Sequence, residues 1–572
     1  MNAPISAWKF EDFISIVLGG EAGQGIQTVE YLLTKVLKAE GYNVFATKEY
    51  MSRIRGGSNS SEIRVSGRRV AAHVDKIDLL VPLDKDAIPH LQKRIGKKTM
   101  ILGDRGRLKT DLPMVDIPYS QIALEVGNVV FANTVAVGAV SALFRIDRAT
   151  LDHCVRQHFS AKNEDVIRKN LQAASKGYEI GLSVAQSERI EINIPKSPQV
   201  TQEIFLNGSE AVALGAIAGG CNFVSSYPMS PSTGVFTYLA QQSQDLGIIV
   251  EQAEDEISAI NMCLGAWYAG ARAMVSTSGG GFSLMTEAIS LAGMIESPMV
   301  IHLAQRPGPA TGLPTRTEQA DLELAIYAGH GEFPRIIFAP GTLQDAFYLT
   351  QRAFNLADRH QTPVILLTDQ LLMDSFYNIP SFDLSKVAVE KYVVEAEEDY
   401  QRYKMTESGI SSRGIPGFGS GLIAVDSDEH DESGHITEDP ELRSQMVEKR
   451  LKKLDLIRNE IILPELVGKE NYRTLVVGWG STYHVIKEAL DLLGRDDVGF
   501  LHFKQVYPLP LGVAEYFTTA KEIIVVENNA TSQFGKLLRL HLGVEARKKV
   551  LKYDGLPFAV EDVLAYFENN LV

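Results

Sequence analysis

The sequence predicts an α/β protein made of three doubly wound α/β domains. Three observations point there. Strand-like apolar runs alternate with segments of helical period along most of the chain. Glycine-bearing turns stand directly after several of those runs, at the edge where open α/β sheets bind ligands. The chain has 572 residues, whereas a domain commonly spans about 100–200. With 45% apolar and 22% charged residues it reads as folded throughout, and no short-period repeat interrupts the alternation.

The first domain, 1–190, opens with an apolar strand at 13–18 and a glycine-rich turn (Gly19, Gly20, Gly23, Gly25). A helix follows with Ile26, Val29, Leu32, Leu33, Val36 and Leu37 on one face. Further strands at 78–82 and 99–102 alternate with helices, which implies a parallel sheet, and 187–202 reads as a polar, proline-bearing linker. The second domain, 203–385, has strands at 223–226, 273–276, 299–303 and 363–367. Residues 386–470 read as an irregular acidic segment with a linking helix. Acids run from Asp426 to Glu441 without a Lys or Arg, which is most simply a solvated loop. His430 and His435 within it hint at a metal, and the helix after it carries Val447, Leu451, Leu454, Ile457 and Ile461 at helical spacing. The third domain, 471–572, has strands at 474–477, 498–503 and 522–526, with a glycine turn at 478–480.

A net charge of −15 argues against nucleic acid and anionic membranes as partners. The longest nearly apolar run, 129–144, is shorter than the roughly 20 residues that cross a bilayer. The first residues, MNAPISAWKFED, lack a basic start followed by an apolar stretch, so a soluble cytoplasmic protein is expected. Cys154, Cys221 and Cys263 lie far apart with no CxxC. They cannot supply a four-thiolate site and read as isolated buried thiols.

The N-terminal turn either faces a phosphate at the helix start or is a tight turn needing glycine for geometry alone. Downstream, Arg53, Arg55, Gly56 and Gly57 form a short basic loop able to hold a phosphate or a neighbouring subunit. In the second domain, Tyr227-Pro-Met-Ser-Pro-Ser-Thr233 follows a strand. Two prolines fix its backbone and present the hydroxyls of Ser230, Ser232 and Thr233, although Ser232 or Thr233 can equally cap the next helix. Glu256 opens a helix and leads straight into its apolar face. Acids in a first turn suit the helix dipole, but a carboxylate in that position would be desolvated and able to hold or share a proton. Glycines 279–281 follow another strand and permit close backbone approach. Arg306 comes directly after the strand at 299–303, where a guanidinium suits bidentate capture of a carboxylate. Hydroxyls, an acid and an arginine at three strand ends together read as a site. No metal-ligand cluster is expected in this chain.

These motifs look familiar as a set. YPMSPST resembles the YPITPS signature of 2-oxoacid:ferredoxin oxidoreductase alpha subunits. Analogues of EDEISAINMCLGAWYAGARAM, TSGGGFSLMTEA and RPGPATGLPTRTEQADL follow in the family's order. GGEAGQGI with SRIRGG is similar to the family's gamma domain, fused here in front of the alpha part, and VVGWGST, VYPLP and VVENN look like its transketolase-C-like domain. The resemblance covers nearly the whole chain. It implies a gamma domain, a thiamine pyrimidine-binding domain and a transketolase-C-like domain in that order. TGLPTRTEQADL looks most like 2-oxoglutarate:ferredoxin oxidoreductase.

The resemblance implies oxidative decarboxylation of a 2-oxoacid on thiamine diphosphate, with the acyl group passed to coenzyme A and electrons passed through iron–sulfur clusters to ferredoxin. The preferred substrate would be 2-oxoglutarate, giving succinyl-CoA, with pyruvate or a branched-chain 2-oxoacid as the alternative. Glu256 falls on the family glutamate that shares a proton with N1′ of the cofactor, and Arg306 on the arginine that binds the substrate 1-carboxylate. Ser230 takes the usual threonine position, keeping the hydroxyl and losing the methyl. Tyr227 and Pro228 would line the cofactor, Arg316 could reach a second carboxylate, and Gly23, Gly25 and Arg55 would serve coenzyme A. A GDG…N diphosphate–metal motif is missing, since Gly103-Asp104 continues as Arg105. Mg2+, the diphosphate and the [4Fe-4S] cluster would then belong to a beta subunit, in an (alpha-beta)2 heterotetramer. The opposing reading is a non-catalytic scaffold that binds a beta chain.

Overall fold

The computed structural model describes residues 8–21, 25–52 and 57–571. The chain folds as two compact units: the stretch up to Leu206 together with Ser375–Ser381, and the remainder.

The first unit is organised by an eight-stranded sheet. Phe13–Glu21 pairs in parallel with Leu79–Pro82, and Leu79–Pro82 with Met100–Gly103, as the sequence implies. On its other side the expected parallel sheet gives way to antiparallel pairing, through Ser58–Ser66 and then Asn43–Glu49. Both strands are buried along most of their length, so the polar/apolar alternation that would mark a half-exposed hairpin is absent. Phe376–Ile379 then adds to Asn43–Glu49, and Val44 N–H donates to Asn378 Oδ1 at 2.8 Å. The domain boundary expected at 385 is therefore crossed, because 375–381 returns to the N-terminal sheet. The helix Ile26–Ala39 buries all six apolar residues of the expected face. The apolar run near 129–144 forms the core helix Ala132–Leu143. It lies so close to Glu164–Ser187 that a β-carbon at Gly138 or Gly177 would strike the opposite backbone. Among the described residues no helix is long and apolar enough to cross a membrane.

The second unit holds two sheets. One runs in the order Ile249–Gln252, Phe223–Ser226, Ala273–Thr277, Met299–Gln305, Pro363–Asp369, Ile336–Phe338, Gln505–Tyr507. All of these pair in parallel except the last. The other runs Glu465–Val467, Val498–Phe503, Thr474–Trp479, Glu522–Glu527, Lys548–Leu551. Because Gln505–Tyr507 leaves its own sheet to join the first, the second and third sequence domains form one body.

The acidic segment is not simply a solvated loop. Glu429 receives Arg443 and Arg450, and although burial would raise its carboxyl, those guanidiniums hold it down near 2. His430 is fully buried, with its ring 3.9 Å from that of Tyr403. His435 is exposed and faces Asp431 at 3.6 Å, so the two histidines do not converge on a metal. The buried face of the helix Pro440–Asn459 shares only Ile457 with the expected one. The helix buries Met446, Lys449, Arg450, Lys453 and Ile457, because Glu296 and Glu429 wait beneath as counter-ions.

Candidate active site

The C-terminal ends of the central parallel strands converge on one cleft. Phe223–Ser226 leads into the YPMSPST turn, where Ser232 Oγ donates back to the Met229 carbonyl at 2.6 Å. Ser232 stands at the start of the helix Thr233–Leu246 but its hydroxyl does not cap it; it braces the turn instead. Beneath it runs a buried polar chain: Ser276 Oγ reaches the Ser232 carbonyl at 3.3 Å and His302 Nδ1 at 2.8 Å, and His302 Nε2 meets Thr368 Oγ1 at 2.9 Å. Burial pushes the His302 imidazole down to about 3, so it stays neutral as a spacer between two hydroxyls.

Glu256 is the first residue of the helix Glu256–Tyr268, whose start Asp255 caps by accepting the Ser258 N–H at 2.7 Å. With its cap supplied by Asp255, Glu256 is spared that task; it is 4% exposed and its Oε1 has no hydrogen-bond partner. The glycines 279–281 explain the room around it. A β-carbon on Gly281 would lie 2.7 Å from Glu256 Cγ, and one on Gly279 would collide with the Asp321 carboxylate. Gly280 looks toward Met229 Sδ at 4.0 Å and the Ala310 carbonyl at 3.8 Å.

Arg306 follows the strand Met299–Gln305 and donates from Nη1 to the Ser230 carbonyl at 2.8 Å, leaving a buried Nε without a partner. Burial lowers its pKa, and Asp321 partly restores it. Asp321 Oδ2 is likewise buried and unpartnered. Burial raises that carboxyl to about 6 against the pull of Arg306. Glu318 rises to about 7 through burial, Asp321 and Asp554.

The cleft thus gathers Glu256, Arg306 and the Ser230 backbone around the glycine triplet. Tyr227 is exposed and Pro228 half-buried beside it. Arg316 lies in the following loop with its side chain against Gly555. Gly25 belongs to the other unit, at the start of Ile26–Ala39 with a left-handed φ of 78°. Gly23 and Arg55 fall outside the described residues. Sequence reasoning missed Asp321 and His302. The first sits inside a quoted motif but reads as an ordinary helix cap, and the second reads as one polar residue in an apolar strand. In the structure Asp321 makes no side-chain cap to Leu322–Tyr327.

Residues 214–449 match the family model described as pyruvate flavodoxin/ferredoxin oxidoreductase, thiamine diP-bdg, and residues 15–180 match pyruvate ferredoxin/flavodoxin oxidoreductase. The chain is 33% identical to the 2-oxoacid:ferredoxin oxidoreductase subunit alpha of a Sulfolobus species, over 96% of each chain. It belongs to the 2-oxoacid:ferredoxin oxidoreductase alpha-subunit family. Within that family it is 32% identical to 2-oxoglutarate synthase subunit KorA of Methanothermobacter thermautotrophicus, over 64% of this chain and 98% of the relative. Its fold matches the solved structure of 2-oxoglutarate:ferredoxin oxidoreductase from Magnetococcus marinus with 2-oxoglutarate, coenzyme A and succinyl-CoA bound. That match has a TM-score of 0.91 at 30% identity, covering 98% of this chain and 99% of the other. The thiamine-binding match of this oxidoreductase subunit contains the Glu256–Arg306 cleft.

Proposed function

We propose that this oxidoreductase subunit, an alpha part with a fused gamma part, acts in oxidative decarboxylation of 2-oxoglutarate to succinyl-CoA, with electrons delivered to ferredoxin. The observation that carries the reading is Glu256 Oε1, a buried carboxylate oxygen with no partner, packed where a β-carbon on Gly281 would stand. The aminopyrimidine of thiamine diphosphate suits that unpartnered acid, because its N1′ needs one buried carboxyl to share a proton with. Bound there, the cofactor supplies a nucleophilic carbon for the keto group and a sink for the electrons released with carbon dioxide. Glu256 holds the proton at N1′. Arg306, fixed by the Ser230 carbonyl, offers its remaining N–H groups to the substrate 1-carboxylate. Ser230, Tyr227 and Pro228 belong to the turn that Arg306 grips, and Arg316 is the candidate for a second carboxylate. The solved relative from Magnetococcus marinus, with 2-oxoglutarate bound, favours that substrate over pyruvate or a branched-chain 2-oxoacid.

Coenzyme A would use the N-terminal turn, with Gly25 opening the helix Ile26–Ala39 toward a phosphate and with Gly23 and Arg55 nearby in sequence. The three cysteines are free and buried, short of the four thiolates a cluster needs. A beta subunit holding Mg2+, the diphosphate and [4Fe-4S], assembled as (alpha-beta)2 in the cytoplasm, completes the reading. Glu256→Gln in the assembled complex is the test. Assembly is expected to persist while exchange of the cofactor C2 proton and turnover fall steeply, and near-normal exchange would favour a non-catalytic scaffold.

A further inference from the structure

Two buried carboxylate oxygens without partners flank the glycine triplet, and only Glu256 Oε1 is accounted for by the function proposed above. The other is Asp321 Oδ2. Its backbone N–H is anchored on Gln305 Oε1 at 3.0 Å, and Gln305 Nε2 donates to the Thr368 carbonyl at 3.0 Å. Asp321 is therefore held by the same strand that delivers Arg306. Its carboxylate fills the space where a β-carbon of Gly279 would stand, while Glu256 occupies the corresponding place at Gly281. The charged groups acting on Asp321 are Arg306 beyond Gln305 and Glu318 upstream in the same segment, while Glu256 packs two residues further on, at Gly281. Asp554 stands behind Glu318, and Arg316 lies in the same loop against Gly555.

The charge balance of this cleft is unfavourable to an anion. Ionised, Asp321 acts on the Arg306 guanidinium and would compete with any incoming carboxylate for it, while Glu318 adds negative charge beside Asp321. We propose that Asp321 is a positioning residue for the substrate seat, carrying a proton when the 2-oxoacid carboxylate lies on Arg306 and competing for that guanidinium when ionised. The inference rests on the reading of Arg306 as the carboxylate seat. A carboxyl already raised to about 6 is pushed further up by an anionic ligand beside it. Binding then takes up one proton.

The test uses the complete alpha–beta complex and 2-oxoglutarate as substrate. The KM of the unaltered complex should rise by up to about tenfold per pH unit above Asp321's own value, with kcat changing less. Asp321→Asn keeps the shape and the backbone bond to Gln305 and should flatten that slope. Glu318→Gln should leave the slope in place. A slope that persists in Asp321→Asn, or that vanishes in Glu318→Gln instead, overturns the proposal. Should Asp321→Asn fail to assemble, calorimetry of the unaltered complex with 2-hydroxyglutarate, in buffers of different ionisation enthalpy, decides. Uptake of close to one proton at pH 7.5 supports the proposal, and no uptake overturns it. Arg306→Gln separates the two readings. If it leaves KM unchanged at every pH, the carboxylate seat itself is wrong; if it raises KM while Asp321→Asn keeps the slope, only the role of Asp321 falls.

Discussion

Replacing Glu296 by glutamine tests how the irregular stretch before Pro440–Asn459 is fastened to the sheet that carries the cleft. Glu296 stands just ahead of Met299–Gln305, the strand that delivers Arg306. Its side chain is fully buried and ion-paired with Lys449 and Lys453, each 2% exposed. Arg402 lies alongside and donates to the Glu296 carbonyl at 2.7 Å. Burial opposes the charge of Glu296, but Lys453, Lys449 and Arg402 hold its carboxyl well below the usual carboxylate range. Burial brings Lys453 down to about 8 even with that acid present. Glutamine preserves the shape and removes the counter-charge, leaving two ammonium groups out of reach of water. Releasing one such proton at pH 7, from an ordinary value of 10.5, costs about 5 kcal/mol. Removing one partner of a buried pair generally costs about 3–5 kcal/mol. We therefore expect the amides of Pro440–Asn459 to lose about 3–5 kcal/mol of hydrogen-exchange protection in Glu296→Gln. Adding Lys449→Met and Lys453→Met should restore most of it, because the uncompensated charges are then gone. A loss below about 1 kcal/mol would refute the reasoning, since it would mean that water solvates both lysines.

Two further outcomes follow from the same geometry. Gly281→Ala sets a β-carbon against Thr277 Oγ1, 2.7 Å from Glu256 Cγ and 2.8 Å from Oε1, so both side chains must swing aside. Displacement of a reacting group by about 1 Å costs on the order of 100-fold in rate, so kcat should drop by that order in an intact complex; unchanged turnover would count against Glu256. Burial holds His302 near 3 and His502 near 4, against an ordinary value of 6.5. The unfolded chain binds these protons first, so stability is full above about 6.5 and declines as pH falls from there toward the folded values. Each histidine contributes about 1.4 kcal/mol per pH unit in that window. Urea unfolding followed by Trp267 and Trp479 fluorescence between pH 7 and 5 should show the decline, and a flat profile would exclude it.

The sequence made the parallel cores legible because their strands are short, apolar and bounded by glycine turns, as at 223–226 and 498–503. It hid the antiparallel partner of Phe13–Glu21, since a strand buried on both faces loses its period of two. It hid the return of Phe376–Ile379 to the first unit, because that pairing joins residues more than three hundred positions apart. It misread the helix Pro440–Asn459 for an electrostatic reason: with Glu296 and Glu429 beneath, lysine and arginine form the inward face, which no hydrophobic pattern reveals. In the cleft, Glu256, Ser230 and Arg306 stood out because each follows a turn or a strand end. Asp321 did not, because its chemistry depends on the emptiness of Gly279 some forty residues earlier.

The glycine turn of the third sequence domain stands at the edge where open α/β sheets bind ligands. In the structure that edge is filled from within the chain. Gln319 Nε2 donates to the Trp479 carbonyl at 2.9 Å, and its Oε1 accepts the Asn528 N–H at 3.0 Å. Asn529 Nδ2 donates to the Gln319 carbonyl at 3.1 Å, Thr317 N–H to Gly555 at 3.1 Å, and Gln533 Nε2 to Ala320 at 2.7 Å. Glu527, fully buried, fixes the receiving loop by accepting from Asn529, Ser532 and the N–H groups of Phe534 and Gly535. Thr317, Gln319 and Ala320 are thus hydrogen-bonded to Trp479 of the five-stranded sheet and to the segments that follow its strands, and the next residue is Asp321. Asp321 is thus held from two sides: by Gln305 of the strand that delivers Arg306, and through Gln319 by the residues at the edge of the other sheet.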